Sequence, residues 1–155
     1  MSMLSISVVL THFNKGELLQ RTIDSLQHET PELIEIIVVD DASTDPSWNS
    51  FSVELENKYP KVKIIRNLTN LGPANRLNQG ANAASGDYLF FMDADDVLAP
   101  NRLNQIITLM AQYSCDLFYG NKIKVHALSE SNNYPNLITH TIEQPLTYMI
   151  EHNIM

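Results

Sequence analysis

The stretch YLFFMDADDV, residues 88–97, runs five apolar residues from Tyr88 to Met92 straight into Asp93, Ala94, Asp95 and Asp96. An apolar run this short, closed by charge, reads as a buried strand rather than a helix. Three acids in four positions are more than a capping turn needs. The same design recurs along the chain. Ser5 to Leu10 (SISVVL) is a first strand, Glu35 to Val39 a second ending in Asp40 and Asp41, Val62 to Ile65 a third, and Asp116 to Tyr119 a fifth before Gly120.

Amphipathic helices fill the gaps. One runs from Glu17 to His28, with Leu19, Ile23 and Leu26 on its inner face and Thr30 and Pro31 closing it. A second opens at Pro46 with Asp45 as N-cap and turns Trp48, Phe51, Leu55 and Tyr59 inward as core. Pro73 starts a third, where Ala74, Ala81 and Ala84 share a face with Leu77 and Gly86 ends the segment. The fourth spans Asn101 to Tyr113, with Leu103, Ile106, Ile107 and Met110 on one side. Strands alternating with helices of this length make βαβ units, so the fold class is α/β with a mostly parallel sheet. After Lys122 the pattern weakens, with Ser129 to Asn136 loop-like and Gln144 to Glu151 a short terminal helix. Residues 1–155 are expected to form one domain, an ordinary size for one core.

Ten Lys and Arg against eighteen Asp and Glu give a net charge of −8. With the basic residues scattered singly, nucleic acid is excluded as the main partner, and so is a polybasic membrane surface. Cys115, the single cysteine, cannot close an internal disulfide and reads as a small buried hydrophobe in a reducing compartment. The run Leu4 to Leu10 has no basic residue before it and no cleavage site after it, and is far short of the ~20 apolar residues of a membrane span. The expected location is cytoplasmic, with a peripheral place on the inner face of the membrane left open.

In a parallel sheet, ligands bind beyond the carboxyl ends of the strands. Those ends carry Thr11, His12, Phe13 and Asn14, then Asp40 and Asp41, then Asp93, Asp95 and Asp96. Five carboxylates along one edge repel unless a cation joins them, and oxygen ligands of this kind suit Mg²⁺ or Mn²⁺ shared with substrate phosphates. Arg76 is either an assisting phosphate contact or a solvated helix residue. Asp40 is expected to cap the following turn and Asp41 to touch ligand. His12 reads as a hydrogen-bonded structural residue, Asn14 and Glu17 organise the first turn, and Asn70 and Gly72 shape a loop. Gly16, Gly72, Gly80, Gly86 and Gly120 form neither GxGxxG nor GxxxxGK[ST], which disfavours dinucleotide dehydrogenases and P-loop enzymes. FMDADDV also fits the nucleophile segment of haloacid-dehalogenase-like phosphatases, with Asp93 attacking and Asp95 as acid or base. It lies on the wrong strand for that class, and no acidic pair follows Val97. Nucleotidyltransferases would need a Gly-rich, Arg-bearing loop after Leu10, which is absent.

Taken in order, SVVLTHFN (Ser7 to Asn14), VVDDAS (Val38 to Ser43), NLGPANRLNQG (Asn70 to Gly80), SGD (Ser85 to Asp87) and FMDADD (Phe91 to Asp96) resemble family 2 glycosyltransferases. The resemblance implies a three-layer α/β/α sandwich of GT-A type. A donor- and metal-binding core would occupy residues 1–120, an acceptor side would start within 121–155, and the acceptor half would be truncated. It implies a nucleotide-diphosphate-sugar donor, a UDP-sugar, with Mn²⁺ or Mg²⁺. Thr11 and Phe13 then line base and ribose, with Phe13 standing where Tyr is commoner. Asp41 hydrogen-bonds the uracil ring, and Asn14 and Glu17 join the donor site. Asp93 reaches ribose or metal, and Asp95 holds the metal bridging the diphosphate. Arg76 lies one position before the family's usual Arg, where this chain has Leu77. The family's base is an Asp in a downstream acidic motif. After Asp96 only Asp116, Glu130, Glu143 and Glu151 remain, none paired, so no catalytic residue is assigned. The implied reaction is inverting transfer to a hydroxyl of a glycan, lipid-linked or protein acceptor. The alternative is a donor-binding module without catalysis. An open sheet edge invites a second copy, making a homo-oligomer an expectation.

Overall fold

A computed structural model of the chain describes residues 4–27 and 30–113. Among them, strands β1 (Ile6–His12), β2 (Leu33–Asp40), β3 (Val62–Arg66) and β4 (Tyr88–Asp93) form one parallel sheet in the order β3-β2-β1-β4. Helices α1 (Glu17–Leu26), α2 (Trp48–Lys58) and α3 (Pro73–Ala83) connect them, and α4 (Arg102–Tyr113) follows. The chain divides into two compact units, Met1–Arg102 and Leu103–Met155. The sheet, its three connecting helices and the candidate site all belong to the first.

The order follows from chain direction. The chain steps outward from β1 through β2 to β3, then returns past β1 to β4. Right-handed crossovers therefore put α1 and α2 on one face and α3 on the other. Packing agrees: the Tyr59 hydroxyl, at the end of α2, donates to Asp24 of α1 at 2.5 Å. On the opposite face Val9, Ile37 and Val39 pack against Leu77 and Ala84. Gly80 sits where α3 touches the sheet, and a Cβ there would lie 2.3 Å from Val9 Cγ1. β1 and β2 are buried on both faces, which is why they read as continuous apolar runs.

The end of the sheet away from the site is closed by Glu35, buried in β2. Its Oε1 accepts from Ser7 Oγ, Ser85 N and Ser85 Oγ, each at 2.7 Å, and its Oε2 accepts from Lys63 Nζ at 2.6 Å. Burial pushes this carboxyl up, but these donors outweigh burial and hold it at about 2.

Three expectations need correction. β4 is not buried throughout: its residues alternate between half-buried and exposed, with Leu89 and Phe91 40% and 48% exposed, because α3 packs over β1 and β2 and leaves that face of β4, the sheet edge among the described residues, uncovered. Helix α2 opens at Trp48 with Ser47, not Asp45, in the cap position, and Asp45 Oδ1 instead accepts from Ser47 N and Oγ in the turn before. Helix α1 ends at Leu26. His28, Cys115, the expected strand Asp116 to Tyr119, the loop Ser129 to Asn136 and the helix Gln144 to Glu151 lie outside the described residues. Among the described residues no helix is long and apolar enough to cross a membrane.

Candidate functional site

Strand order reverses between β1 and β4, and the crevice outside that reversal is where an open α/β sheet receives ligands. Thr11 is its centre, in register with Val39 on one side and Asp93 on the other. The backbone N–H of Ala94 donates to the Thr11 carbonyl at 3.2 Å, which pins the turn carrying Asp95 to the end of β1. The Thr22 hydroxyl on α1 lies 3.0 Å from the Ala94 carbonyl and 2.6 Å from that of Asp96, tying the helix to the same turn. Asp93 and Asp95 are both exposed there. Phe13 is 43% exposed just past β1, and Glu17 is exposed as the first residue of α1.

Asn14 organises the first turn as expected. Its backbone takes the left-handed conformation (φ 51°), its Oδ1 accepts from Thr44 N at 2.9 Å and Asp45 N at 3.2 Å, and its Nδ2 donates to Thr44 Oγ1 at 3.1 Å. The loop after β1 is thereby bound to the loop after β2.

The two acids ending β2 part company. Asp40 accepts from Trp48 Nε1 at 2.9 Å and from Ser43 N and Oγ, holding the following turn as expected. Asp41 is also buried, but reaches the other way: Oδ1 accepts from Leu71 N (2.8 Å) and Arg76 Nε (2.6 Å), and Oδ2 from Gly72 N (2.9 Å). Burial pushes the Asp41 carboxyl up, and the Leu71, Arg76 and Gly72 donors bring it below the usual range. Gly72 permits this with a positive φ of 82°. Arg76 is buried rather than a solvated helix residue, and its guanidinium also donates to Gln79 Oε1 at 3.0 Å and to the Thr69 carbonyl. Asp40 and Asp41 thus each find partners inside the fold, one oxygen of Asp41 taking a single hydrogen bond, and five carboxylates do not crowd one edge. The inference of a cation from that crowding falls away, leaving Asp93 and Asp95 as its basis.

His12 differs from the expected hydrogen-bonded residue. Both ring nitrogens are buried without a partner, and the ring lies against Trp48 with centroids 4.2 Å apart. Burial lowers its pKa to about 4, with the Lys15 charge adding to the effect and Asp40 opposing it, so the imidazole is neutral.

Lys15 was not singled out by the sequence. Its Nζ lies 2.6 Å from Asp95 Oδ2, the two side chains being 40% and 35% exposed. Only the fold reveals this, since 80 positions separate them. Among the described residues no group of three or more His, Cys, Asp or Glu side chains gathers to hold a metal. The donors at the edge nonetheless fit a hard divalent cation completed by phosphate oxygens: both are carboxylates, and Asp95 already faces a cationic group.

Residues 7–153 match the family model described as glycosyl transferase family 2. The chain belongs to this family. An uncharacterized glycosyltransferase of Haemophilus influenzae is 32% identical over 161 residues, spanning 97% of this chain and 64% of that protein. The poly(ribitol-phosphate) beta-glucosyltransferase of Bacillus spizizenii is 32% identical over 120 residues, 76% of this chain and 19% of that protein. Among solved structures, S. aureus TarS 1-349 in complex with UDP-GlcNAc is similar with a TM-score of 0.63 and 25% identity, over 72% of this chain and 32% of that one. The family-2 chain therefore has the expected GT-A-type α/β fold, and it spans less than two thirds of the length of these relatives.

Proposed function

We infer that this family-2 chain holds a nucleotide-diphosphate sugar, a UDP-sugar, across the carboxyl edge between β1 and β4, and that the whole protein transfers the sugar to an acceptor hydroxyl with inversion. The observation that carries the reading is the Asp93-Ala94-Asp95 turn, displayed at the strand-order reversal and fastened there by Thr11 and Thr22. Phe13, exposed just past β1, would offer an apolar face to base and ribose, and Asn14 and Glu17, exposed after it at the same end of the sheet, would join the donor site. Asp41 Oδ2 accepts one hydrogen bond, from Gly72, and a carboxylate oxygen can accept two, which leaves a lone pair for the imide N–H of uracil. Arg76 serves this site by fixing Asp41.

Asp95, with Asp93, would hold Mn²⁺ or Mg²⁺ together with the diphosphate. When bound, the cation supplies neutralisation of charge gathering on the departing diphosphate. The acceptor is a hydroxyl of a glycan, lipid-linked or protein molecule, and the relative named for poly(ribitol-phosphate) favours a polymer. No catalytic base is assigned: Asp116, Glu130, Glu143 and Glu151, none of them in an acidic pair, lie outside the described residues.

Calorimetric titration of UDP with and without Mn²⁺, repeated on Asp95→Ala, tests the reading. Binding that requires Mn²⁺ and vanishes in the variant supports it. Binding indifferent to Mn²⁺, or none, removes the metal role of the turn.

A further inference from the structure

We propose that Lys15 is a built-in competitor for the divalent cation at Asp95, so that its ammonium weakens metal binding until a nucleotide diphosphate arrives. The inference rests on reading Asp95 as a metal ligand. Both partners are delivered by anchored backbone. Lys15 follows Asn14, which is bound to Thr44 and Asp45, and the Lys15 carbonyl accepts from Leu18 N at 3.0 Å in the turn entering α1. Asp95 follows Ala94, whose N–H is held by Thr11 and whose carbonyl lies against the Thr22 hydroxyl. The pairing is therefore a product of the fold.

The pair is nevertheless exchangeable. Neither side chain is locked by burial, and a lysine ammonium on a flexible four-carbon stem withdraws into water readily. A divalent cation binding Asp95 Oδ2 must displace that ammonium and then tolerate a like charge on a tether a few ångströms away. A diphosphate adds negative charge that both cations can share, so the penalty is largest for metal alone. Lys15 thereby couples metal binding to nucleotide binding without touching the sugar.

The experiment is Mn²⁺ titration followed by the electron paramagnetic resonance signal of the free aqueous ion, with and without UDP. The proteins are wild type, Lys15→Met, Lys15→Arg, Asp95→Asn and, as a charge control at the last residue of α2, Lys58→Met. Without UDP, Lys15→Met should tighten Mn²⁺ binding about 2- to 5-fold, the range of an exchangeable surface ion pair. Lys15→Arg and Lys58→Met should match wild type, and the gap should close as salt is raised. If Lys15→Met binds Mn²⁺ equally or more weakly while Asp95→Asn loses it, the competitor role is overturned and the metal reading stands. Failure of every protein to bind Mn²⁺ even with UDP, or full binding by Asp95→Asn, overturns both.

Discussion

Arg76 Nε meets Asp41 Oδ1 at 2.6 Å and Lys15 Nζ meets Asp95 Oδ2 at the same distance, yet the side chains of the first pair are 6% and 7% exposed and those of the second 40% and 35%. Distance alone does not distinguish them; surroundings do. Asp41 is taken out of water, so each of its oxygens must be met from within, and the loop before α3 folds back to present two backbone N–H groups. Removing either member would strand the other. Asp95 keeps its access to water and can change partners. One end of the sheet thus carries a pair that fixes the framework of the candidate site and a pair that stays open to water.

Breaking the buried pair should have the largest effect. Arg76→Met leaves Asp41 charged and under-satisfied, and should cost about 3–5 kcal/mol of stability in urea unfolding. Adding Asp41→Asn should recover part of that loss, because the orphaned charge goes with it. A cost below about 1 kcal/mol for Arg76→Met would show that solvent reaches Asp41 after all.

His12 extends the comparison to a buried polar group with no partner. Its folded-state pKa, about 4, lies below the ordinary 6.5. The unfolded chain therefore takes up a proton that the fold refuses. Stability is fully present above pH 6.5 and is lost as pH falls through the folded value, by up to about 3 kcal/mol. Urea midpoints measured from pH 7 to 4 should fall more steeply for wild type than for His12→Phe, which keeps a ring against Trp48. Parallel slopes would mean that the imidazole finds a partner or water on protonation.

At the far end of the sheet, Glu35 resembles Asp41 in burial but is met by an exposed lysine and two serines. Glu35→Gln keeps one acceptor and loses the Lys63 pair, for an expected cost of about 1–3 kcal/mol at pH 7. The contribution of the charged form is present above the ordinary carboxylate value of 4.5 and disappears as pH falls through about 2. The wild-type advantage over the variant should therefore persist at pH 5.

Much of the fold was legible because β1 and β2 are apolar on both faces and the helices between the strands keep their period. Burial of β4 was misjudged because YLFFM is continuous in sequence while its place at the edge is a property of topology. That Asp93 and Asp95 stand exposed at a strand end was legible, since charge directly after an apolar run marks where the strand leaves the core. What Asp40 and Asp41 do was only half legible: adjacent residues at a strand end face opposite sides of the sheet, and their partners, Trp48 and Arg76, come from helices on opposite faces. The isolation of His12 could not be read from sequence, because a missing hydrogen bond is set by what packs around it. Lys15 carried no signal beyond its charge.

The smallest stability effect belongs to the open pair, and it sharpens the contrast most. Lys15→Met and Asp95→Asn each remove a charge whose partner can return to water, so neither leaves a buried orphan. Each should change unfolding free energy by no more than about 0.5–1 kcal/mol, and less at high salt. The two losses should not add, because either substitution already removes the whole interaction. A pair that contributes so little to the fold, yet is positioned from two anchored turns 80 residues apart, is placed for exchange rather than for support. If Asp95→Asn instead cost as much as Arg76→Met, Asp95 would be part of the framework, and a cation could not take it without loosening the turn that presents it.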